Sequence, residues 1–293
     1  MTRIGFIGLG MMGTPMAHLL HAAGHELVVQ DARPEVAAAF ADAHPGVRIA
    51  SGAGAPGAPG DYADCDVLIT MLPNSDIVDA VVGPLASQLK RGAVVVEMSS
   101  ADPNRTRALA ERLAGAGVTL IDAPVSGGVK KAVAGTLAIM VGGDVPAFER
   151  VRPVLETLGK AITHVGPVGA GHALKALNNY VSAAALIATA EAIHVGEAFG
   201  IAPATIVDVI QASTGRNNTT ENKAHQFMLN GAFNSGFSLA LQAKDVGIAA
   251  SLGRAMGLPM ALAQDVYAMT AEASESLGAG ADHTELYRFV GRT

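Results

Sequence analysis

Gly8-Leu9-Gly10-Met11-Met12-Gly13 is the stretch that decides the fold. It follows the short apolar run 3–7 and opens residues 12–23, whose apolar side chains recur at helical spacing. In a strand–turn–helix unit, the first glycine permits the tight turn, the second lets the backbone approach a pyrophosphate, and the third allows close helix–strand packing. We therefore predict that Gly8, Leu9, Gly10, Met11, Met12 and Gly13 bind a dinucleotide.

An acidic residue, Asp31, closes the second apolar run, residues 27–30. Its distance from the glycines suits the carboxylate that accepts hydrogen bonds from ribose hydroxyls in dinucleotide-binding folds and repels a 2′-phosphate. NAD is therefore expected as the cofactor rather than NADP. Two alternatives stay open: Asp31 caps a helix that starts at Pro34, or Arg33 turns onto a 2′-phosphate and admits NADP.

Apolar runs and helical stretches alternate through the first half of the chain. The predicted strands are residues 4–7, 27–30, 67–72, 93–97, 119–122 and 137–141, and the predicted helices are residues 12–23, 35–41, 77–90, 104–116 and 146–158. Nearly continuous Val, Ile and Leu indicate strands covered on both faces. The alternation predicts an α/β fold: a Rossmann-type, doubly wound, mainly parallel sheet with right-handed crossovers.

Beyond Gly166 the strand-like runs stop and helical stretches dominate, at residues 170–199, 203–212, 219–229, 240–256 and 261–276. We predict an NAD-binding Rossmann domain at residues 1–165 and an all-α C-terminal domain for substrate binding and oligomerisation at 166–293, joined by a long interdomain helix. On this long helix, the side chains predicted to face the core are those of Leu174, Leu177, Val181, Ala185, Ala188, Ala192 and Val195, which we call the core stripe. The apolar helical half suggests a homodimer or homotetramer.

Composition narrows the class of partner. A net charge of −6 and an isoelectric point near 5.8 argue against a nucleic-acid surface, which needs a basic patch. The apolar run 180–190 is shorter than the roughly 20 residues of a membrane helix, so no membrane partner is expected. The single cysteine, Cys65, is predicted to be a small core residue and fits a cytoplasmic protein.

Two further features are predicted to carry no chemistry. The Gly- and Pro-rich stretch 51–60 is predicted to be a surface loop. The nine histidines are scattered without ligand spacing, so no metal is expected.

The glycine-rich turn with Met16, then Met71-Leu72-Pro73 and Ser99-Ser100-Ala101-Asp102-Pro103, resembles the β-hydroxyacid dehydrogenases, the group of 3-hydroxyisobutyrate dehydrogenase and tartronate semialdehyde reductase. Matching motifs extend over nearly the whole chain. The resemblance implies that Leu72, Pro73 and Ser100 line the cofactor groove. Each follows the carboxyl end of a predicted strand, where open α/β sheets bind ligands, although each alone also fits an ordinary strand-to-helix loop.

Asp122-Ala123-Pro124-Val125-Ser126-Gly127-Gly128 follows the strand 119–122. The Ser126 hydroxyl and the N–H groups of the two glycines suit a carboxylate, although Ser-Gly-Gly alone indicates a turn. The whole string is similar to the substrate-binding signature of the family, which implies that Ser126, Gly127 and Gly128 bind substrate. We expect Asp122 to be structural.

Lys175 and Asn179 lie four residues apart on one face of the long helix, with Ser182 on the next turn. That helix is apolar nearly all round, so a buried lysine there is a functional candidate. The resemblance implies that Lys175 is the general acid/base and that Asn179 holds the substrate hydroxyl. Alternatively Lys175 is an anion-binding charge without a proton role. His172 is expected to support the site from outside at most.

The run 237–246 is similar to another family element, with Val246 where leucine is usual. The resemblance implies that Lys244 reaches cofactor and substrate while Asp245 holds it; without the resemblance the two are a surface charge pair. Lys130 and Lys131 are predicted to lie on a solvated loop. If they or Arg216 pointed inward, they would favour a substrate with a second anionic group.

The expected activity is hydride transfer between NAD and the β-hydroxyl of a small anionic 3-hydroxy acid, 3-hydroxyisobutyrate-like. The alternatives are an NADP-dependent reductase of tartronate semialdehyde or a related aldehyde acid and, more distantly, a non-catalytic dinucleotide-binding scaffold.

Overall fold

The computed structural model describes residues 1–51 and 61–291. The predicted loop 51–60 lies, except for Ser51, outside the described residues. The chain divides into two compact units, Met1–Lys175 and Ala176–Thr293, which are described in turn.

The first unit is built on one sheet whose strand order is β3-β2-β1-β4-β5-β6-β8-β7, with β9 beside β8. Strands β1 to β6 pair in parallel, β8 runs antiparallel to β6 and β7, and β9 runs parallel to β8. The bounds are β1 (Arg3–Ile7), β2 (Glu26–Gln30), β3 (Arg48–Ile49), β4 (Val67–Thr70), β5 (Val94–Glu97), β6 (Thr119–Asp122), β7 (Val125–Ser126), β8 (Leu137–Gly142) and β9 (Gly159–Gly166). The prediction of a mainly parallel Rossmann-type sheet is confirmed.

Helices cover both faces of this sheet: α1 (Gly13–Ala22), α2 (Pro34–Ala43), α3 (Ser75–Leu85), α4 (Pro103–Gly115), α5 (Gly128–Val133) and α6 (Val145–Leu155). Side chains cap the N-termini of three of these helices, since Asn74, Asp102 and Asp144 each accept a hydrogen bond from a first-turn amide. Alternate residues of β4 enter different cores, with Ile69 in one and Leu68 in the other. This two-sided burial explains the continuous apolar strands.

Helix α5, the two-residue strands β3 and β7, and strand β9 of the first unit were not predicted from the sequence. The solvated loop predicted for Lys130 and Lys131 was wrong, because both belong to α5, although both side chains are exposed. Among the described strands β9 pairs with β8 alone, and it mixes exposed and half-buried residues such as Lys160 and Ile162, so it lacks the apolar run that marks the inner strands.

Helix α7 (Ala170–Ala198) has almost the predicted bounds, but the predicted core stripe was wrong. Val181 and Val195 are 62% and 71% exposed, and Leu174 is 42% exposed. The buried apolar positions are Ala176, Ala183, Leu186, Ile187, Ala190 and Ile193. Because the helix is apolar nearly all round, periodicity alone could not choose between its faces.

By length and composition alone, α7 is long enough to cross a membrane, because it extends well beyond the apolar run 180–190 on both sides. The same test is passed by core helices of proteins that never enter a membrane, and 33% of the most apolar window of α7 is buried.

The second unit is helical in its described part, with α8 (Pro203–Gln211), α9 (Asn218–Asn222), a π-helical turn (Ala224–Met228), α10 (Leu239–Ala255), α11 (Ala261–Leu277), a 3₁₀ turn (His283–Glu285) and α12 (Leu286–Val290). Helices α10 and α11 pack through Val246, Val266 and Ala273, together with Leu186 of α7. The helix predicted over residues 219–229 is broken at Lys223, where the hydrogen-bonding pattern changes from α to π.

Candidate dinucleotide-binding and catalytic residues

The glycine-rich turn between β1 and α1 has the shape that a phosphate-binding turn requires. Gly8 has φ of +101°, and a side chain there would run into the carbonyl oxygen of Met71. A side chain at Gly13 would collide with the carbonyl oxygen of Gly8, so α1 packs against the turn only because Gly13 has none. The space around Gly10 is open to 4 Å, which leaves room for a ligand against the backbone.

Asp31 holds this turn in place. One carboxylate oxygen accepts a hydrogen bond from the Leu9 N–H at 2.8 Å, and the other accepts one from the Arg33 N–H at 3.0 Å. The alternative that Asp31 caps α2 was wrong, since Arg33 is the N-cap residue and no side chain caps that helix. A carboxylate has about four acceptor sites, so Asp31 keeps capacity for ribose hydroxyls.

An open groove of about 600 Å³ adjoins the turn. It is lined by Leu9, Gly10, Met11 and Thr14 of the turn and α1, and by Arg33 at the start of α2. The Arg33 guanidinium is 3.5 Å from an Asp31 oxygen and its side chain is 62% exposed. Concave spaces of this size suit small ligands.

The loops after β4 and β5 meet beside the turn. The Leu72 N–H donates to the Ser99 hydroxyl at 2.8 Å, and the Leu72 side chain lies 3.2 Å from where a side-chain carbon on Gly8 would be. Ser100 is half-buried and Pro73 is exposed. The structure therefore brings Leu72 close to the glycine-rich turn at the carboxyl edge of the sheet.

A buried polar network, which the sequence analysis missed, lies behind these loops. His172 Nε2 is 2.8 Å from Glu97 Oε2, and the other Glu97 oxygen accepts the Ser99 N–H at 2.9 Å. His172 Nδ1 is 2.9 Å from the Thr106 hydroxyl, which donates its own proton to the Asp102 carbonyl. Thr106 thus accepts from Nδ1, and with the Glu97 carboxylate beside Nε2 this arrangement favours the imidazolium form of His172.

The charges of this network agree with that assignment. Burial disfavours the charged forms, yet Glu97 raises the pKa of His172 above its ordinary value, and His172 lowers the pKa of Glu97. Asp122 has a raised pKa because burial outweighs the effect of His172. Its oxygens accept from the N–H groups of Gly169 (2.6 Å) and His172 (2.8 Å), so Asp122 holds the backbone at the start of α7. The signal in the sequence that could have revealed this network is Glu97, an acidic residue at the end of a strand of valines.

Ser126 ends β7, and Gly127 and Gly128 lead into α5. The Ser126 side chain is half-buried and both glycines are exposed. Among the described residues none is hydrogen-bonded to the Ser126 hydroxyl. The aliphatic chain of Lys131 lies over Gly127, and a side chain at Gly127 would collide with it.

Lys175 is half-buried on α7, less buried than the apolar pattern predicted, and Asn179 lies one turn further with 8% exposure. The Asn179 amide donates to Asp245 at 2.5 Å, and its oxygen accepts from Asn178 at 3.1 Å. One amide N–H and one lone pair of Asn179 remain for a ligand.

Asp245 and Lys244 lie on α10 in the second unit. The alternative of a surface charge pair was wrong, because Asp245 is 2% exposed, and the Lys244 Nζ is 3.7 Å from its carboxylate. Arg216 pairs with Glu221 at 3.1 Å and is 60% exposed. Over residues 1–51 and 61–291, no three His, Cys, Asp or Glu residues are grouped so that they could hold a metal ion.

Comparison with known proteins agrees with this geometry. Residues 3–166 match the family model of the NAD-binding domain of 6-phosphogluconate dehydrogenase, and residues 169–290 match the NAD-binding model of NADP-dependent 3-hydroxyisobutyrate dehydrogenase. The chain is 38% identical to 2-(hydroxymethyl)glutarate dehydrogenase of Eubacterium barkeri, over 95% of this chain and 91% of that one. It is 35% identical to 3-hydroxyisobutyrate dehydrogenase of Pseudomonas aeruginosa, over 93% of each chain.

Solved structures give the same result. The Mycobacterium tuberculosis 3-hydroxyisobutyrate dehydrogenase, solved with L-serine, superposes with a TM-score of 0.91 at 35% identity over 99% of both chains. An imine reductase from Myxococcus stipitatus has a TM-score of 0.67 at 19% identity and shares the fold.

The Rossmann-type sheet, its glycine-rich turn and these matches define an NAD(P)-binding oxidoreductase that acts on CH–OH groups. The chain belongs to the 3-hydroxyisobutyrate dehydrogenase family, and it is a hydroxyacid dehydrogenase. The alternative of a non-catalytic scaffold finds no support among these relatives.

Proposed function

We propose that this enzyme oxidises the β-hydroxyl of a small 3-hydroxy acid with NAD, and that Lys175 is its general acid/base. The observation that carries the assignment is the position of Lys175 one turn before Asn179 on α7, with the Asn179 amide oriented by the buried carboxylate of Asp245. Lysine and a fixed amide on one helix face can share a single hydroxyl.

Each group then has a defined task. Asn179 donates its remaining N–H to the substrate hydroxyl, and Lys175, as the neutral amine, takes the hydroxyl proton. Ser126 and the N–H groups of Gly127 and Gly128 bind the substrate carboxylate. Bound NAD supplies the acceptor for the hydride. In the reverse direction Lys175 returns the proton to the carbonyl oxygen.

The cofactor would be held by the glycine-rich turn, residues 8–13, and by Asp31, Leu72, Pro73, Ser100 and Lys244. The open space at Gly10 and the acceptor capacity of Asp31 fit the pyrophosphate and ribose of NAD. A second candidate, an NADP-dependent reductase of tartronate semialdehyde or a related aldehyde acid, is favoured by one observation, the 62% exposure of Arg33 beside Asp31.

The test is a panel of acids assayed with NAD and NADP: 3-hydroxyisobutyrate, 2-(hydroxymethyl)glutarate, L-serine, glycerate and threonate, with tartronate semialdehyde for the reverse reaction. The first two are named by the relatives. Lys175→Ala is expected to lower kcat by about 10²–10⁴-fold while NAD affinity stays within a few-fold. Lys160→Ala, at an exposed lysine of β9, is the matched control. Near-normal turnover of Lys175→Ala would refute the assignment.

The same proposal includes a cytoplasmic homodimer or homotetramer without nucleic-acid or membrane partners. Support comes from the exposed apolar face of α7 and its end, where Val181, Val195 and Phe199 are 62%, 71% and 86% exposed. Exposed apolar patches of this kind mark protein–protein contacts.

A further inference from the structure

Lys223 is a buried cation with no role in the reaction proposed above. It stands at the junction of α9 and the π-helical turn and is 9% exposed. Its Nζ donates to the Ser182 hydroxyl at 3.1 Å, and it forms no ion pair with any carboxylate in the described part of the chain. A buried charge without an anionic partner is costly, so proteins rarely keep one without a use.

The nearby carboxylate, Asp282, is already committed to other partners. Its two oxygens accept hydrogen bonds from the Ser235 hydroxyl, the Gly236 N–H, and both the N–H and the hydroxyl of Thr284. It influences Lys223 through its charge without direct contact. The Lys223 ammonium therefore keeps two unused donors.

Two further features lie within one helical turn of Lys223 along the chain. The Thr219 hydroxyl is buried and has no hydrogen-bond partner among the described residues, and the Thr219 carbonyl accepts the Lys223 N–H at 3.1 Å, so the two residues are one helical turn apart. The backbone changes from α to π directly after Lys223. Single π turns recur at functional sites, and buried unsatisfied hydroxyls call for an explanation.

Ser182 relates Lys223 to the proposed reaction. Ser182 lies three residues after Asn179 on α7, about 4.5 Å further along the axis and on the same face. The Lys223 ammonium is thus bonded to a residue that lies nearly one turn beyond Asn179, whose amide we assign to the substrate hydroxyl. In a 2-(hydroxymethyl)glutarate skeleton, five bonds of about 1.5 Å, about 6 Å when extended, separate the hydroxyl oxygen from the far carboxyl carbon.

We propose that Lys223, Ser182 and Thr219 bind a second carboxylate of the substrate, so that the enzyme acts on dicarboxylic β-hydroxy acids. This inference rests on the proposed function, because it takes Asn179 as the place of the substrate hydroxyl. The residues that the sequence suggested for a second anion are less suitable: Lys130 and Lys131 are exposed, and Arg216 is paired with Glu221 at the surface.

The protonation states suit an anion. Burial lowers the pKa of Lys223 to about 8, so most of it is charged at pH 7, and a bound carboxylate would raise that pKa. Burial, together with Lys223, lowers the pKa of His283 to about 4, so His283 is neutral. The diacid should therefore bind less well as the pH rises past about 8.

The test compares two substrates, 2-(hydroxymethyl)glutarate and 3-hydroxyisobutyrate, with the wild-type enzyme and Lys223→Gln. We expect the variant to lower the ratio of kcat/KM for the diacid over the monoacid by about 30-fold, mainly through the KM of the diacid, since a charge-assisted contact is lost. Lys160→Gln, an exposed lysine in the other unit, should leave the ratio unchanged. The proposal would be overturned if Lys223→Gln left this ratio unchanged, either because kcat/KM fell equally for both substrates or because it fell for neither.

Binding gives a second readout that needs no turnover. Glutarate, which lacks the hydroxyl, should bind to the wild-type enzyme with NADH in a calorimetric titration, and Ser182→Ala should weaken it even if Lys223→Gln fails to fold. Binding of inorganic phosphate in place of glutarate would overturn the carboxylate assignment. If the wild-type enzyme oxidises none of the acids in the panel above, the proposed function fails, whereas Lys223-dependent glutarate binding would still support this site.

Discussion

The Nε2 atom of His172 lies 2.8 Å from Oε2 of Glu97, and both side chains are fully buried. Glu97 ends β5, and His172 belongs to the first turn of α7, three residues before Lys175. The other oxygen of Glu97 accepts a hydrogen bond from the Ser99 N–H, and the Ser99 hydroxyl accepts one from the Leu72 N–H. One chain of contacts thus joins the loop beside the glycine-rich turn to the start of the helix that carries Lys175.

Glu97→Gln should lower the free energy of unfolding by about 3–5 kcal/mol, because it leaves the imidazolium of His172 buried without its counter-charge. Urea unfolding followed by circular dichroism measures the change. Glu149→Gln, which removes an exposed partner of Arg152, is the matched control and should have little effect. Equal stabilities of Glu97→Gln and wild type would contradict the charged pair.

The same pair predicts a pH window of stability. The pKa of Glu97 is lowered in the fold, so its contribution is present above the unfolded value near 4.5 and is lost as the pH falls through the folded pKa. The pKa of His172 is raised, so its contribution is full below the unfolded value near 6.5 and is lost as the pH rises through the folded pKa. The pair should therefore contribute most to the free energy of unfolding between the two unfolded values, from about pH 4.5 to about pH 6.5. Unfolding titrations of wild type and His172→Gln should differ in this dependence, and parallel curves would argue against it.

Asp31→Asn should weaken NAD binding by about 10-fold or more, because the charge that accepts the Leu9 N–H and would accept the ribose hydroxyls is lost. The ratio of kcat/KM for NADP over NAD should rise, since the repulsion of a 2′-phosphate is gone. Asp42→Asn, at an exposed acid of α2, controls for a general charge effect. If the ratio of kcat/KM for NADP over NAD stayed unchanged in Asp31→Asn, Asp31 would not determine which coenzyme the enzyme prefers.

The thiol of Cys65 should be unreactive in the folded protein. Cys65 is fully buried, as the sequence predicted, and burial raises its pKa to about 11. Labelling with a thiol reagent at pH 8 should be slow until denaturant is added, and then reach one thiol per chain. Fast labelling of the native enzyme would place the thiol at an accessible position.

Val181→Glu should shift the enzyme to a smaller species if the exposed face of α7 forms the proposed contact between copies. Light scattering coupled to size-exclusion chromatography measures the mass. Val145→Glu, at a residue that is 51% exposed at the start of α6, is the control. A wild-type monomer, or an unchanged mass in Val181→Glu, would count against this contact.

Sequence patterns predicted the fold well where one physical signal dominated. The six inner strands were predicted because burial on both faces requires continuous Val, Ile and Leu. Strand β9 was missed because its exposed residues break that run. The buried face of α7 was assigned wrongly because Ala183 and Ala190 carry less apolar weight than the exposed Val181 and Val195.

The candidate site was predictable only in part. Lys175 and Asn179 were found because a cation and an amide lie four residues apart, on one face of a helix, in an otherwise apolar segment. Glu97 and Lys223 were not found, since their partners His172 and Ser182 lie far away in sequence and only folding brings them together. The break at Lys223 was hidden as well, because α and π turns share the same composition.

The hydrogen bond from Leu9 to Asp31 also bears on how the coenzyme of such an enzyme can change during evolution. The carboxylate that we assign to coenzyme choice also fixes the backbone of the turn. A lineage that replaced Asp31 first, to admit a phosphorylated coenzyme, would pass through an ancestor with a loosened turn and poorer binding of either coenzyme. A substitution that supports Leu9 in another way would have to precede it, so the order of mutations, as well as their identity, constrains that path.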